Sequence, residues 1–193
     1  MSVIAWDGKT LAADKRAVMG TLIVATTKIF RITNYNEGGA LVGYAGDAAA
    51  GEEMLHWFKN GAIPEKLPAA QRDKNDWVGL LVIWATGAIW KYENTPHPVK
   101  LMPQKFAIGS GRDFGLAAMH LGKTAKEAVE IACLFDNTCG DGVDVLTHDY
   151  YKAPLNEDIQ KWQSETQNKA YHSHIAHRLG ENTPAPFGLL GPQ

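Results

Sequence analysis

The opening hairpin constrains this chain more than any other stretch. Ser2-Val3-Ile4-Ala5-Trp6 reads as a strand, Asp7-Gly8 as a tight turn, and Thr10-Leu11-Ala12-Ala13 as the return strand. Such a hairpin brings Asp14 back beside Ser2. Removal of Met1, which proceeds readily before a residue as small as serine, leaves Ser2 with a free α-amine. That amine titrates near pH ~7.7–8.0, so much of it is neutral at cellular pH and able to take a proton. A serine hydroxyl then carries its own general base within one or two bonds or one water.

The rest of the chain supplies more short strands, interrupted by helices. Lys28–Ile32 and Ala40–Tyr44 read as a second hairpin across a polar loop, Thr33 to Gly39. Asp47 is placed to cap a helix over residues 48–60, with Leu55 and Phe58 on its apolar side and Gly61 as its stop. Residues 62–76, with Pro64, Pro68 and the run Arg72-Asp73-Lys74-Asn75-Asp76, read as a loop or broken helix. Trp77–Ala85 is continuously apolar, as a strand buried on both faces must be, and pairs with Ala88–Tyr92 around Thr86-Gly87. Val99–Met102 and Lys105–Ile108 are short strands. Helices are expected from Arg112 to Gly122 and, behind the capping box Thr124-Ala125-Lys126-Glu127, through Phe135. Val143–Thr147 is a last strand. Two sheets with helices on their outer faces satisfy this order.

Several classes are disfavoured by composition. The chain has 193 residues and a formal net charge of −2, which gives no electrostatic reason to expect nucleic acid as a partner. The longest apolar run, Trp77–Ala85, is far short of a membrane span, and no signal-like segment opens the chain. The expected compartment is the cytoplasm. Cys133 and Cys139 form neither a disulfide framework nor a metal-ligand spacing. His172, His174 and His177 invite a metal reading, but His172 is off the face shared by the other two, and a solvated helix face explains them better. Leu155–Leu179 is helix-compatible with a thin apolar stripe, and Pro184, Pro186 and Pro192 give the end a tail-like character.

In order and spacing, the N-terminal hairpin with Asp14, Lys28 in Thr27-Lys28-Ile29-Phe30, Leu41 to Asp47, Gly109-Ser110-Gly111 before a helix, and Asp136 to Val145 resemble the proteasome β-subunit family. The nearer likeness is to its bacterial HslV-type and proteasome-like peptidases. The resemblance spans residues 2–150 and implies an α+β fold, a four-layer α-β-β-α sandwich of the N-terminal nucleophile hydrolase type. Residues 151–193 are left as a C-terminal helical extension and flexible tail.

The resemblance also implies roles. Ser2 stands where the family usually has threonine and becomes the nucleophile. Lys28 projects toward it from a neighbouring strand, and a buried ammonium there favours a neutral amine and an ionised hydroxyl. Asp14 pairs with Lys28, and Arg16 supports the pair. Gly43 matches the glycine whose N–H meets the oxyanion. Ser110 and Asp136 match groups that hydrogen-bond around the N-terminal amine, with Cys139 where the family has serine. Val18 replaces a substrate-aligning threonine. Ala17, Leu41, Ala45 and Ala49 would line an apolar specificity pocket. No cofactor is required, although the Asp136–Asp141 turn could hold a structural monovalent cation. The implied function is peptide-bond hydrolysis inside a homo-oligomeric double ring acting on peptides or polypeptides, with an AAA+ unfoldase as a potential partner and neither nucleic acid nor membrane involved. An inactive structural ring subunit and a stand-alone amidase of the same class are the alternatives left open.

Overall fold

The computed structural model describes residues 2–33, 39–69, 78–102 and 105–148. The readings for Met1, for most of the Thr33–Gly39 loop, for residues 70–77 and for the segment 151–193, its histidines included, lie outside these residues.

The described chain runs β1 (Val3–Trp6), β2 (Thr10–Asp14), β3 (Arg16–Met19), β4 (Leu22–Ala25), β5 (Ile29–Ile32), β6 (Ala40–Gly46), α1 (Ala48–Lys59), β7 (Val78–Trp84), β8 (Ile89–Tyr92), β9 (Val99–Leu101), β10 (Phe106–Gly109), α2 (Arg112–His120), α3 (Ala125–Phe135) and β11 (Val143–Thr147). The strands form a four-stranded sheet in the order β10-β1-β2-β11, a five-stranded sheet in the order β5-β6-β7-β8-β9, and the separate ribbon β3-β4. Every pairing is antiparallel. The chain is thus a mixed α/β protein with antiparallel sheets and few helices among the described residues. None of those helices is long and apolar enough to cross a membrane.

Side-chain alternation explains how the sheets are buried. Successive residues of a strand point to opposite faces. On β1, Ile4 and Trp6 join a core cluster with Leu41, Ala45, Leu81 and Ile83 of the five-stranded sheet. Val3 and Ala5 instead pack under α2 and α3 with Ala118, Met119, Ala128, Val129 and Ala132. The other face of the five-stranded sheet presents Val42, Tyr44, Leu80 and Val82 to Met54, Leu55, Trp57 and Phe58 of α1. All seven residues of β7 are buried, as its unbroken apolar run requires. The alanines of α3 let that helix approach its sheet closely.

Local chemistry fixes the helix ends. Asp47 Oδ1 accepts from Ala50 N at 2.9 Å. Thr124 and Glu127 form the expected capping box, and their hydrogen bonds draw the exposed Glu127 carboxyl down to about 2. Asp7 joins two elements. Its Oδ1 accepts from Lys9 N and Thr10 N to close the first turn, and its Oδ2 accepts from Ala125 N at the start of α3.

The ribbon β3-β4 is the element that strand patterning overlooked. Val18, Met19, Leu22 and Ile23 are 54–61% exposed, so no buried face writes an alternating pattern into it. Within the described part of residues 62–76, Pro64–Lys66 form a short 3-10 turn.

Candidate active site

The β2–β3 junction builds the site. Asp14, the last residue of β2, is fully buried, and its carboxylate receives four donors. Oδ1 accepts from Lys28 Nζ at 2.8 Å and Val3 N at 2.9 Å. Oδ2 accepts from Gly140 N at 3.0 Å and Arg16 N at 3.2 Å. A buried carboxylate is tolerable only when paired and hydrogen-bonded in this way. The contact from Val3 N anchors the backbone next to Ser2, so the hairpin does bring Asp14 to the start of the chain. Lys28, immediately before β5, is 4% exposed and also donates to the Arg16 carbonyl at 2.6 Å. An ammonium has three donors. The third has no protein acceptor among the described residues, and Lys28 shares a cavity wall with Ser2.

That cavity has a volume of about 670 Å³. Ser2, itself 2% exposed, forms part of its wall. Arg16, Ala17, Val18 and Met19 line it from β3 and Gly20 from the turn after it, Tyr44 and Gly46 from β6, Asp47, Ala48 and Ala49 from the α1 corner, and Gly109, Ser110 and Arg112 from the β10–α2 corner. The structure therefore brings Ser2, Arg16, Ala17, Val18, Lys28, Ala49 and Ser110 together at one cavity. Asp14 stands behind Lys28.

Three of the expected positions lie elsewhere. Gly43 is in the middle of β6, paired with Ile29 and Leu81, and does not line the cavity. A Cβ on it would sit 3.1 Å from both Ile29 Cγ2 and Ile4 Cδ1, so glycine is there to let the two sheets approach. Gly46, three residues on and with φ +136°, is the glycine of this strand at the cavity. Leu41 and Ala45 point into the inter-sheet core at 0% and 1% exposure, which removes them from any specificity pocket. The sequence signal that separates these sets is parity. Leu41, Gly43 and Ala45 share one face of β6, and Ile4 and Ile29 already occupy the space opposite it.

The loop after α3 closes the other side. Arg16 donates from Nε and Nη2 to the two carboxylate oxygens of Asp141, at 3.0 and 3.2 Å, and from Nη1 to the Asn137 carbonyl at 2.8 Å. The fork raises the Arg16 pKa and lowers that of Asp141. Lys15 N and Arg16 N both donate to the Gly140 carbonyl. Within the loop, Asp136 Oδ1 accepts from the backbone and hydroxyl of Thr138, at 2.9 and 2.6 Å, and Oδ2 accepts from the Cys139 thiol at 3.4 Å. Burial would raise the Asp136 pKa, but the bonds from Thr138, Ser110 and Cys139 outweigh it and hold the carboxyl near 2. Burial, with Asp14 and Asp136 nearby, pushes the Cys139 thiol up to about 12, which makes it a poor nucleophile.

Thr138 is a site residue that sequence reasoning missed. Its Oγ1 lies 2.9 Å from Ser110 Oγ, and Ser110 Oγ lies 3.4 Å from the Ser2 carbonyl oxygen. With the Thr138 proton given to Asp136, Ser110 donates either to Thr138 or to Ser2. Gly111 N also donates to the Ser2 carbonyl, at 3.3 Å. Asp136, Thr138 and Ser110 thus form a cluster beside the first residue of the hairpin, whose carbonyl is in reach of Ser110 Oγ and is bonded by Gly111 N. The Asp-x-Thr spacing of a side-chain-closed turn was the available signal.

No protein-family model and no curated protein matches the chain. Solved structures do match. A eukaryotic HslV from Trypanosoma brucei is similar at 21% identity with a TM-score of 0.55, over 75% of this chain and 97% of that one. Anbu, an ancestral β-subunit from Yersinia bercovieri, is similar at 12% identity with a TM-score of 0.58, over 97% of this chain and 100% of that one. At these identities the likeness is one of fold, and it supports an HslV-like, proteasome-like fold for this chain.

Proposed function

We propose that this chain is a self-compartmentalising peptidase of the N-terminal nucleophile class, with Ser2 as nucleophile once Met1 is removed. One observation carries the reading. Ser2 forms the wall of a cavity together with Lys28, whose charge is held by the fully buried Asp14. The proposal includes the four-layer α-β-β-α arrangement, with the Ile4–Leu81 cluster as its middle and α1 on one side and α2 and α3 on the other.

In the proposed reaction the Ser2 α-amine takes the hydroxyl proton as Oγ attacks the peptide carbonyl. The Lys28 ammonium disfavours a charged amine beside it and favours developing negative charge on Oγ. Gly46 takes the oxyanion-donor role, worth roughly 2.7–4 kcal/mol in comparable sites. The α-ammonium then gives its proton to the departing amine, and water hydrolyses the seryl ester. Ser110 Oγ and Gly111 N, beside the Asp136–Thr138 turn, orient the start of the chain through the Ser2 carbonyl. Ala17, Val18, Met19 and Ala49 offer an apolar surface to a substrate side chain. A cytoplasmic homo-oligomeric double ring enclosing these sites, fed by an ATP-driven unfoldase, completes the proposal.

The test is hydrolysis of a fluorogenic peptide panel by the full chain. Wild type should cleave at least one member, and Ser2→Ala should lower the rate by a factor on the order of 10³ or more. Undiminished cleavage by Ser2→Ala would overturn the assignment.

A further inference from the structure

We propose that Arg112 reads a carboxylate on the bound peptide, giving the cavity a preference for acidic chains beside the reacting bond. The inference rests on the peptidase reading and adds a substrate class to it. The cavity lining holds three cationic side chains, Arg16, Lys28 and Arg112, against one carboxylate, Asp47. Two of the cations are committed. Arg16 is forked onto Asp141 and bonded to Asn137, and Lys28 is bonded to buried Asp14 and to the Arg16 carbonyl. Neither Asp14 nor Asp141 faces the cavity.

Arg112 differs. It stands two residues after Ser110, whose neighbour Gly111 bonds the Ser2 carbonyl, so it flanks the corner that holds the nucleophile's backbone. Its bonds are a 3.3 Å contact to the Gly109 carbonyl and a 3.4 Å pair with the adjacent Asp113, both partners more than half exposed in that pair. An exposed pair between neighbours is readily exchanged for another carboxylate. Guanidinium is suited to the exchange because its fork can hold both carboxylate oxygens at once. Asp47 does not compete from the same wall. It comes from the β6–α1 corner of the other sheet, and its Oδ1 caps α1 at Ala50 N.

Two sources can supply the carboxylate: an acidic side chain, or the free C-terminus of a peptide. Both are tested on full-length Ser2→Ala protein by fluorescence anisotropy, so that binding is read whether or not Ser2 reacts. The probes are acetyl-capped, amide-ended labelled heptapeptides carrying one Glu or one Gln at each successive position, and a free-acid version of the Gln peptide. At one position the Glu peptide should bind about fivefold more tightly than its Gln counterpart, the scale of a well-formed exposed ion pair. Arg112→Gln should bring that ratio to one, Arg112→Lys should retain part of it, and Arg112→Glu should shift the preference to a Lys-bearing peptide. Raising the ionic strength should shrink the ratio. A preference seen only for the free-acid peptide assigns Arg112 to C-terminal carboxylates. Equal affinities at all positions and for the free acid, or no binding of any probe, would overturn the inference. Charge-selective binding by a protein whose Ser2 forms no adduct would remove the peptidase chemistry and leave the Arg112 assignment standing.

Discussion

Asp14 and Lys28 illustrate how a pair can serve the site and the fold together. Both are buried, and each is the other's compensating charge. Lys28→Ala should abolish peptide hydrolysis and, by stranding the Asp14 carboxylate, cost about 3–5 kcal/mol in urea unfolding. A variant with unchanged stability and full activity would contradict the assigned site. The hairpin pattern placed Asp14 beside the start of the chain, and the family resemblance supplied its pairing with Lys28. Gly43 was less legible. Parity puts it on the face of β6 that carries Leu41 and Ala45, but that this face is the inter-sheet one follows only from Ile4 and Ile29 filling the space opposite. Gly43→Ala should therefore destabilise by about 1–3 kcal/mol through overpacking, read as a lower denaturation midpoint. A neutral effect would argue that the sheets are not closely apposed there.

At the scale of elements, legibility followed burial. β7 was readable because it is apolar throughout, and β11 because Val143–Thr147 sits between glycine-rich and polar flanks. The capping box fixed the start of α3. Thr124→Ala should remove both the cap to Glu127 N and the hydroxyl that bonds the Glu127 carboxylate, costing about 0.5–2 kcal/mol in thermal or urea unfolding. No measurable loss would mean that Asp7, which holds Ala125 N, caps the helix alone. The β3-β4 ribbon escaped notice because its apolar residues are exposed on a two-stranded element, where neither alternation nor a buried run marks a strand. It nevertheless supplies one whole wall of the cavity, from Arg16 to Gly20. Thr138, Gly46 and Arg112 were missed for a related reason. Their importance comes from which loops converge, and long-range convergence leaves no local periodicity.

For the molecule as a whole, the sheets, the buried pair and the shared cavity are consistent with the proteasome-like fold of the matched structures, and the proposed chemistry depends on one covalent event at the N-terminus. Met1 must leave, because an acylated Ser2 nitrogen is no base. The most direct test is the intact mass of the purified protein before and after an electrophile selective for N-terminal hydroxyl nucleophiles, with the adduct located by peptide mapping. The account predicts a mass lacking one methionine and a single adduct on Ser2. A retained methionine with no adduct, in protein that still assembles into a ring, would contradict it and leave the chain as a non-catalytic subunit of the same fold.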